Sequence, residues 1–479
     1  MSNALNIERP LISSLKELRN IYFIGIGGIG MSAIARYFHS NGVYVSGYDK
    51  TQTELTAALE KEGIKIHYEE NIDLIPKEAN LIVYTPAVPK DHKELVYYQQ
   101  NQYNIVKRSD VLQAISNDTF NICVAGTHGK TTISTLIAHI LRNSGFGCNA
   151  FLGGISVNYQ TNFWSSKNNV SVIEADEYDR SFLKLSPDMA VVSAMDPDHL
   201  DIYGDERSMQ DAFIAFGNKV KDNGLLLSKF GLSRIKEVKD VRKLSYSLQN
   251  PSSDAFASNI KIENGGYSFD VNVKEDKLSS LNLAIGGMHN IENTVAAVTI
   301  AKELKIADDK IKEAVNTFRG VRRRFEYVIA PEKQKEGAYV HPVLIDDYAH
   351  HPEELKALLN SVRRLFPQRK MIVVFQPHLY SRTKDLAEGF ADALSEGDEV
   401  ILLPIYPARE KPIAGVKSEM ILEKMSIRSG IVLDKEDLLN WMRKHKGTMD
   451  KEFGEVIVMA GAGDIDTLVK PVKEIIEKA

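Results

Sequence analysis

Short apolar runs, each followed by a polar or glycine turn and then by apolar positions at helical spacing, recur along this chain. Ile21 to Ile24 is the first such run, and a glycine turn, a helical pattern from Met31 to Ser40 and a second run from Val43 to Tyr48 follow it. Apolar runs bounded by turns read as buried strands, and strands alternating with helices imply a parallel sheet. The alternation continues through Leu81 to Tyr84, which Pro86 and Pro89 interrupt, and through a helix-like Asp110 to Ile115. Ser116, Asn117 and Asp118 then form a polar link before the next strand, Ile122 to Ala125.

Further strands are expected at Val170 to Glu174 and Met189 to Ala194. From about Leu244 to Leu283 the period changes to two, and Tyr267 to Val273 after Asn264-Gly265-Gly266 reads as part of an antiparallel hairpin. Helical spacing returns from Asn290 to Leu304, and the charged stretch Pro331 to Gly337 reads as a solvated loop between domains. Strands at Val343 to Ile345, Met371 to Phe375, Glu399 to Leu403 and Val456 to Met459 complete the pattern. It predicts an α/β protein of three units, divided as residues 1–118, 119–326 and 327–479. The length of 479 residues suits three domains of roughly 100 to 200 residues each.

Composition narrows the class. With 43% apolar and 26% charged residues the chain matches soluble globular proteins, and a net charge of -5 offers no basic field for nucleic acid or anionic lipid. No run is long and apolar enough to span a membrane, and the N-terminus lacks a basic stretch followed by an apolar core. Cys123 and Cys148, the only cysteines, lack metal or redox spacing. A cytoplasmic enzyme without nucleic-acid or membrane partners is expected, as a monomer or weak homodimer.

Two glycine loops carry the first chemistry. Gly25, Gly27, Gly28 and Gly30 follow a strand and open a helix, with Asp49 closing the next strand. Backbone amides at such a turn can approach a diphosphate, which leaves open a dinucleotide, a nucleotide-linked sugar or a structural turn. The second loop, Gly126-Thr127-His128-Gly129-Lys130-Thr131-Thr132, lies between a strand and a helix expected near Ile133. It is a shortened phosphate-binding loop, in which Lys130 meets β and γ phosphates and Thr131 suits magnesium.

Carboxylates and histidines at later strand ends extend the site. Glu174 closes a strand and is the expected magnesium ligand, whereas Asp176, Glu177 and Asp179 form an acidic cluster for which a solvated loop competes with ligation. His199, in Asp196-Pro197-Asp198-His199-Leu200-Asp201, suits a second magnesium. Asn290 is positioned to cap the helix after Gly287, and Asn293 offers a donor and acceptor for adenine. Arg322, Arg323 and Arg324 read equally as an anion clamp or a solvated run. Asp346-Asp347-Tyr348-Ala349-His350-His351 and Gln376-Pro377-His378-Leu379-Tyr380-Ser381-Arg382 follow strands that open on one sheet edge. Their histidines lack a third ligand at metal spacing, so amino-acid binding and orientation of an acyl phosphate is the better reading.

Together these segments resemble the Mur ligase family across essentially the whole chain. Its general anchors are the 126–132 loop, the Glu174 segment, Asp196-Pro197-Asp198-His199 and His289-Asn290 with Asn293; the Gly25–Gly30, Asp346–Pro352 and Phe375–His378 segments resemble its alanine-adding branch. The resemblance implies an N-terminal Rossmann-like domain for a UDP-sugar, a central phosphate-loop ATPase-type domain and a C-terminal Rossmann-like domain that closes over the site. It implies amide formation between UDP-N-acetylmuramic acid and L-alanine through an acyl phosphate, with ATP and two magnesium ions, for which manganese substitutes.

Carried over residue by residue, Gly25, Gly27, Gly28, Gly30, Asp49, His67, Thr85 and Arg108 would hold the UDP-sugar. The 126–132 loop, His289, Asn293, Arg324 and Asp347 would hold ATP. Thr131, Glu174 and His199 would ligate metal, Tyr348, His350, His378 and Arg382 would surround the amino acid, and Lys130, His199, His350 and Arg382 would be catalytic. Two positions depart from the family: Met209 to Gly217 contains no lysine where sister ligases carry a modified one, and Leu379 replaces a commonly basic residue. The competing readings are a sister ligase that attaches a recycled peptide, an NAD-dependent oxidoreductase and a non-catalytic nucleotide-binding module.

Overall fold

The computed structural model describes residues 15–178, 180–197, 200–332, 340–408, 410–426, 429–450 and 452–478. Three sheets follow one another along the chain. The first is fully parallel, in the order Lys65–His67, Tyr44–Tyr48, Asn20–Ile24, Leu81–Tyr84, Ile105–Lys107. Its order reverses beside Asn20–Ile24, so the glycine turn at the end of that strand opens at the switch point where parallel sheets bind ligands.

The second sheet is mixed. Its parallel centre contains Leu225–Lys229, Met189–Val192, Phe120–Ala125, Val170–Glu174 and Asn149–Ser156. Antiparallel strands finish both edges: Thr161–Trp164 on one side, and the meander Ala255–Glu263, Gly266–Val273, Asp276–Leu283 on the other. Asn264 and Gly265, at φ 49° and 72°, make the tight turn expected there. The edge hairpin at 149–164 had no clear period-two signature, because both strands are largely buried.

The third sheet runs Glu326–Ile329, Val343–Asp347, Glu455–Ala460, Lys370–Phe375, Glu399–Leu402, Gly430–Val432, with only the first strand antiparallel. This corrects the reading of Pro331 to Gly337. The segment connects two paired strands of one sheet and is not a link between domains; residues 333–339 lie outside the described residues. The expected limit after Glu326 cuts the first strand behind its initial residue. That strand is half-buried at every position, so it shows no alternation to read.

Apolar packing joins the units. Tyr37, on the helix Ile29–Ser40, meets Phe151 and Phe163 of the second sheet's edge hairpin at ring distances of 5.4 and 6.2 Å. Beside it Arg36 donates to Asn162, whose Nδ2 donates to Ser32 Oγ at 3.0 Å. At the other junction Tyr327 packs on Phe366 and donates to the Gly265 carbonyl. Truncating a buried ring such as Phe151 would cost roughly 3–5 kcal/mol, so these contacts help hold the loops at fixed separations.

Candidate active site

The strand Phe120–Ala125 ends in a tight turn that only glycine accommodates at two points. Gly126 has φ 135°, and a Cβ there would collide with Ser193; Gly129 has φ 82°, and a Cβ would lie 2.8 Å from Asn293 Oδ1. The helix then starts at Lys130 and runs to Asn143, three residues earlier than expected. The left-handed Gly129 turns the chain so sharply that Lys130 is already helical, and the helix N-terminus faces the loop. Its first amides lack intrahelical acceptors and suit phosphate oxygens.

Lys130 Nζ donates to the Gly126 carbonyl and to Glu177 Oε1, both at 2.7 Å. Glu177 is almost fully buried, which corrects the solvated reading of the acidic cluster at this residue; Asp179 lies outside the described residues. Burial pushes its carboxyl above the ordinary value, and Lys130 opposes that shift. Asp176 is exposed enough to meet solvent and lies 3.6 Å from Arg108.

Thr131 Oγ1 donates to Glu174 Oε1 at 3.0 Å, while Glu174 Oε2 accepts from the Gly153 amide at 3.0 Å. A hydroxyl and a carboxylate oxygen converging beside a phosphate-type loop form an oxygen donor set suited to magnesium. No group of three or more His, Cys, Asp or Glu suited to a metal occurs among the described residues. His199 and Asp198 lie outside the described residues.

Around the loop, Thr127 Oγ1 accepts from the Asp196 amide at 3.2 Å, and exposed His128 stands 4.0 Å from Asp196. Thr132 is buried in the first helical turn. Asn290 does not cap its helix. The cap is Gly287, at φ 89°, and Asn290 lies inside the first turn, donating to the Gly286 carbonyl at 2.6 Å and accepting from Asn293 at 3.1 Å. Asn293 thus stands against Gly129, and the His289 imidazole is lowered below its ordinary value, by desolvation first and then by Arg324 and His128, with Glu292 opposing.

The arginine run divides. Arg322 reaches Glu54 at 3.4 Å and Gln160, and Arg323 reaches the Gly461 carbonyl and Asp466 at 3.3 Å. Both tie sheets together, which neither expected reading anticipated. Arg324 has no side-chain partner among the described residues, and it acts electrostatically on Asp347. Asp347 accepts from the Phe325 and Ala349 amides at 2.7 and 2.8 Å, and burial pushes its carboxyl up to about 6.

At the next strand ends, His350 lies 5.1 Å from the exposed Tyr348 ring and 6.1 Å from His378, which stacks on Tyr406 at 5.7 Å. Arg382 sits on the short helix Tyr380–Asp385, capped by Leu379 at φ 70°. Burial first, and then the charge of Arg382, lowers both histidines below the ordinary value; Glu354 pulls His350 the other way, as Glu410 does His378. Buried Nδ1 of His378 and Nη1 of Arg382 have no hydrogen-bond partner among the described residues. The four expected residues do converge.

In the first unit Gly25, at φ 86°, faces Thr85, and Gly28 precedes the helix Ile29–Ser40. Asp49 Oδ2 accepts from the Gly27 amide at 2.8 Å, so this carboxylate shapes the loop itself. A Cβ on Gly30 would lie 2.6 Å from Arg108 Nη1, which places that cation over the turn. Sequence reasoning missed Ser193 and Gly153 beside the loop, and it weighed Glu177 only as a metal ligand or a solvated acid, not as the partner of Lys130.

Family comparisons agree with this layout. The chain matches the Mur ligase family catalytic domain over residues 20–119, the Mur ligase middle domain over 124–301 and the Mur ligase glutamate ligase domain over 323–463. It is 44% identical over 97% of its length to the UDP-N-acetylmuramate--L-alanine ligase of Christiangramia forsetii, covering 99% of that protein, and 45% identical, with the same coverage, to that of Flavobacterium johnsoniae. Among solved structures, the UDP-N-acetylmuramate-alanine ligase of Thermotoga maritima superposes with a TM-score of 0.77 at 27% identity, over 95% of this chain and 98% of that one. A murein peptide ligase of Psychrobacter arcticus shares the fold, with a TM-score of 0.64 at 21% identity over 96% and 99% of the two chains. With all three domain types matched in order and close relatives covered end to end, this chain belongs to the Mur ligase family.

Proposed function

We propose that this chain is an ATP-dependent ligase that joins the lactyl carboxylate of UDP-N-acetylmuramic acid to L-alanine in peptidoglycan precursor synthesis. The end-to-end likeness to relatives bearing that activity in their names carries this reading. The phosphate loop with its Thr131–Glu174 contact supports the ATP step.

A carboxylate is a poor acyl donor, so it first attacks the γ-phosphorus; ADP leaves and an acyl phosphate remains. The alanine amine then attacks the acyl carbon and expels phosphate, which keeps one oxygen of the original carboxylate. Lys130 and the loop amides hold the phosphates and meet the charge that gathers there. Magnesium, held by Thr131 and Glu174, with His199 for a second ion, would neutralise phosphate charge. His289, Asn293, Arg324 and Asp347 would meet the nucleotide. Tyr348, His350, His378 and Arg382 receive the amino acid. Closure of the third unit over the other two would exclude water from the acyl phosphate.

The test uses carboxylate-labelled UDP-N-acetylmuramic acid. Oxygen-18 appearing in released phosphate, with the UDP-muramyl-alanine product, supports the acyl phosphate; unlabelled phosphate contradicts it.

A further inference from the structure

Glu94 is a fully buried carboxylate at the start of the helix Lys93–Gln100, remote from both phosphate loops in sequence. Three donors converge on it. Tyr22 OH donates to Oε2 at 2.6 Å, the Asn71 amide donates to Oε1 at 3.1 Å, and His67 Nε2 lies 2.9 Å from Oε1. An ionised carboxylate only accepts, so His67 Nε2 must carry a proton. The Tyr22 hydroxyl, 3.2 Å from the same nitrogen, has already spent its proton on Glu94, and burial keeps its phenol above the ordinary range.

In the neutral ring the proton on Nε2 makes Nδ1 an acceptor, and Nδ1 has no hydrogen-bond partner among the described residues. His67 ends the edge strand of the first sheet, and its carbonyl accepts from the Asp49 amide at 3.2 Å. Asp49 in turn holds the Gly27 amide, so the imidazole stands on the same strand-end edge as the glycine loop, flanked by the Tyr22 and Tyr48 rings at 6.1 and 5.7 Å.

Resting on the UDP-sugar reading of this domain, we infer that Glu94 is a positioning residue for nucleobase selection, fixing His67 as an acceptor for the imide N–H of uracil. Cytosine presents a ring acceptor at that position, and an acceptor facing an acceptor loses the bond and leaves both groups unpaired. Tyr22 and Asn71 hold Glu94, Glu94 holds the His67 tautomer, and His67 reads the base.

The experiment compares wild type with Glu94→Gln, whose amide can either donate to or accept from His67, and with Tyr22→Phe, which keeps the carboxylate. Nitrogen-15 NMR of histidine-labelled protein at pH 8 should show His67 protonated on Nε2 in wild type and Tyr22→Phe, and mixed in Glu94→Gln. In competition binding, preference for UMP over CMP should fall by about tenfold in Glu94→Gln, the loss of one well-made hydrogen bond. KM for the UDP-sugar should rise while KM for ATP holds. An Nδ1-protonated ring in wild type overturns the inference, as does an unchanged UMP preference in a Glu94→Gln protein whose tautomer has mixed. If Glu94→Gln fails to fold, Tyr22→Phe decides: retained Nε2 protonation and UMP preference support the Glu94 anchor, and loss of the tautomer opposes it. Absence of any UMP binding by wild type would instead remove the UDP-sugar reading, and the NMR result separates the two failures.

Discussion

Thr131 Oγ1 and Glu174 Oε1 stand 3.0 Å apart, joining the first turn of the helix Lys130–Asn143 to the last residue of the strand Val170–Glu174. The contact crosses between adjacent strands of the second sheet, so its geometry is set by parallel pairing of Phe120–Ala125 with Val170–Glu174. Glu174→Gln keeps the shape and the Gly153 contact but loses charge. The magnesium concentration for half-maximal activity should rise at least about tenfold, measured by phosphate release across a metal titration.

The Lys130–Glu177 pair separates catalysis from stability. Lys130→Met leaves Glu177 buried beside no cation, which should cost on the order of 3 kcal/mol in denaturant unfolding. Adding Glu177→Gln should restore most of that stability. Activity should stay at least about a hundredfold down in both proteins, because the phosphate charge still lacks its lysine.

Gly129→Ala tests the turn. At φ 82° an added Cβ is strained, and Asn293 Oδ1 would lie 2.8 Å from it. A loss of about 1–2 kcal/mol in stability is expected, with much weaker binding of a non-hydrolysable ATP analogue by calorimetry.

His139 gives a pH signature away from the chemistry. It is buried on the helix that starts at Lys130, with Nε2 2.9 Å from the Ala314 carbonyl and Nδ1 2.8 Å from Tyr159 OH. Burial lowers its pKa to about 4, against 6.5 for the free side chain. A depressed folded value means that its contribution is fully present above pH 6.5 and is lost as pH falls towards 4, amounting to about 3 kcal/mol. Denaturant midpoints from pH 7.5 to 4 should therefore fall less steeply in His139→Gln.

Much of the architecture was legible because it is local. The strand ends that present Gly126, Glu174, Asp347 and His378 are apolar runs followed by polar turns, and the period-two stretch at Tyr267–Val273 and its turn at Asn264-Gly265 appear as read. What escaped depends on contacts distant in sequence. Glu177 reads as one more acid in a polar loop until Lys130, on another element, buries it. Arg322 and Arg323 resemble a solvated run until Glu54 and Gly461 receive them. Asn290 is a favoured cap residue type before an apolar helix, yet Gly287 occupies that position because its positive φ turns the chain into the helix. The half-buried strand Glu326–Ile329 has neither alternation nor a continuous apolar run, so the charged segment behind it drew the boundary instead.

The measurement that tests the central claim most directly is phosphate release from magnesium-ATP by the purified chain, with UDP-N-acetylmuramic acid and L-alanine supplied together and each omitted in turn. Release that requires both, and that disappears in Lys130→Ala, is the predicted result. Release driven by a tripeptide but not by alanine, or equal release with either substrate omitted, would contradict it.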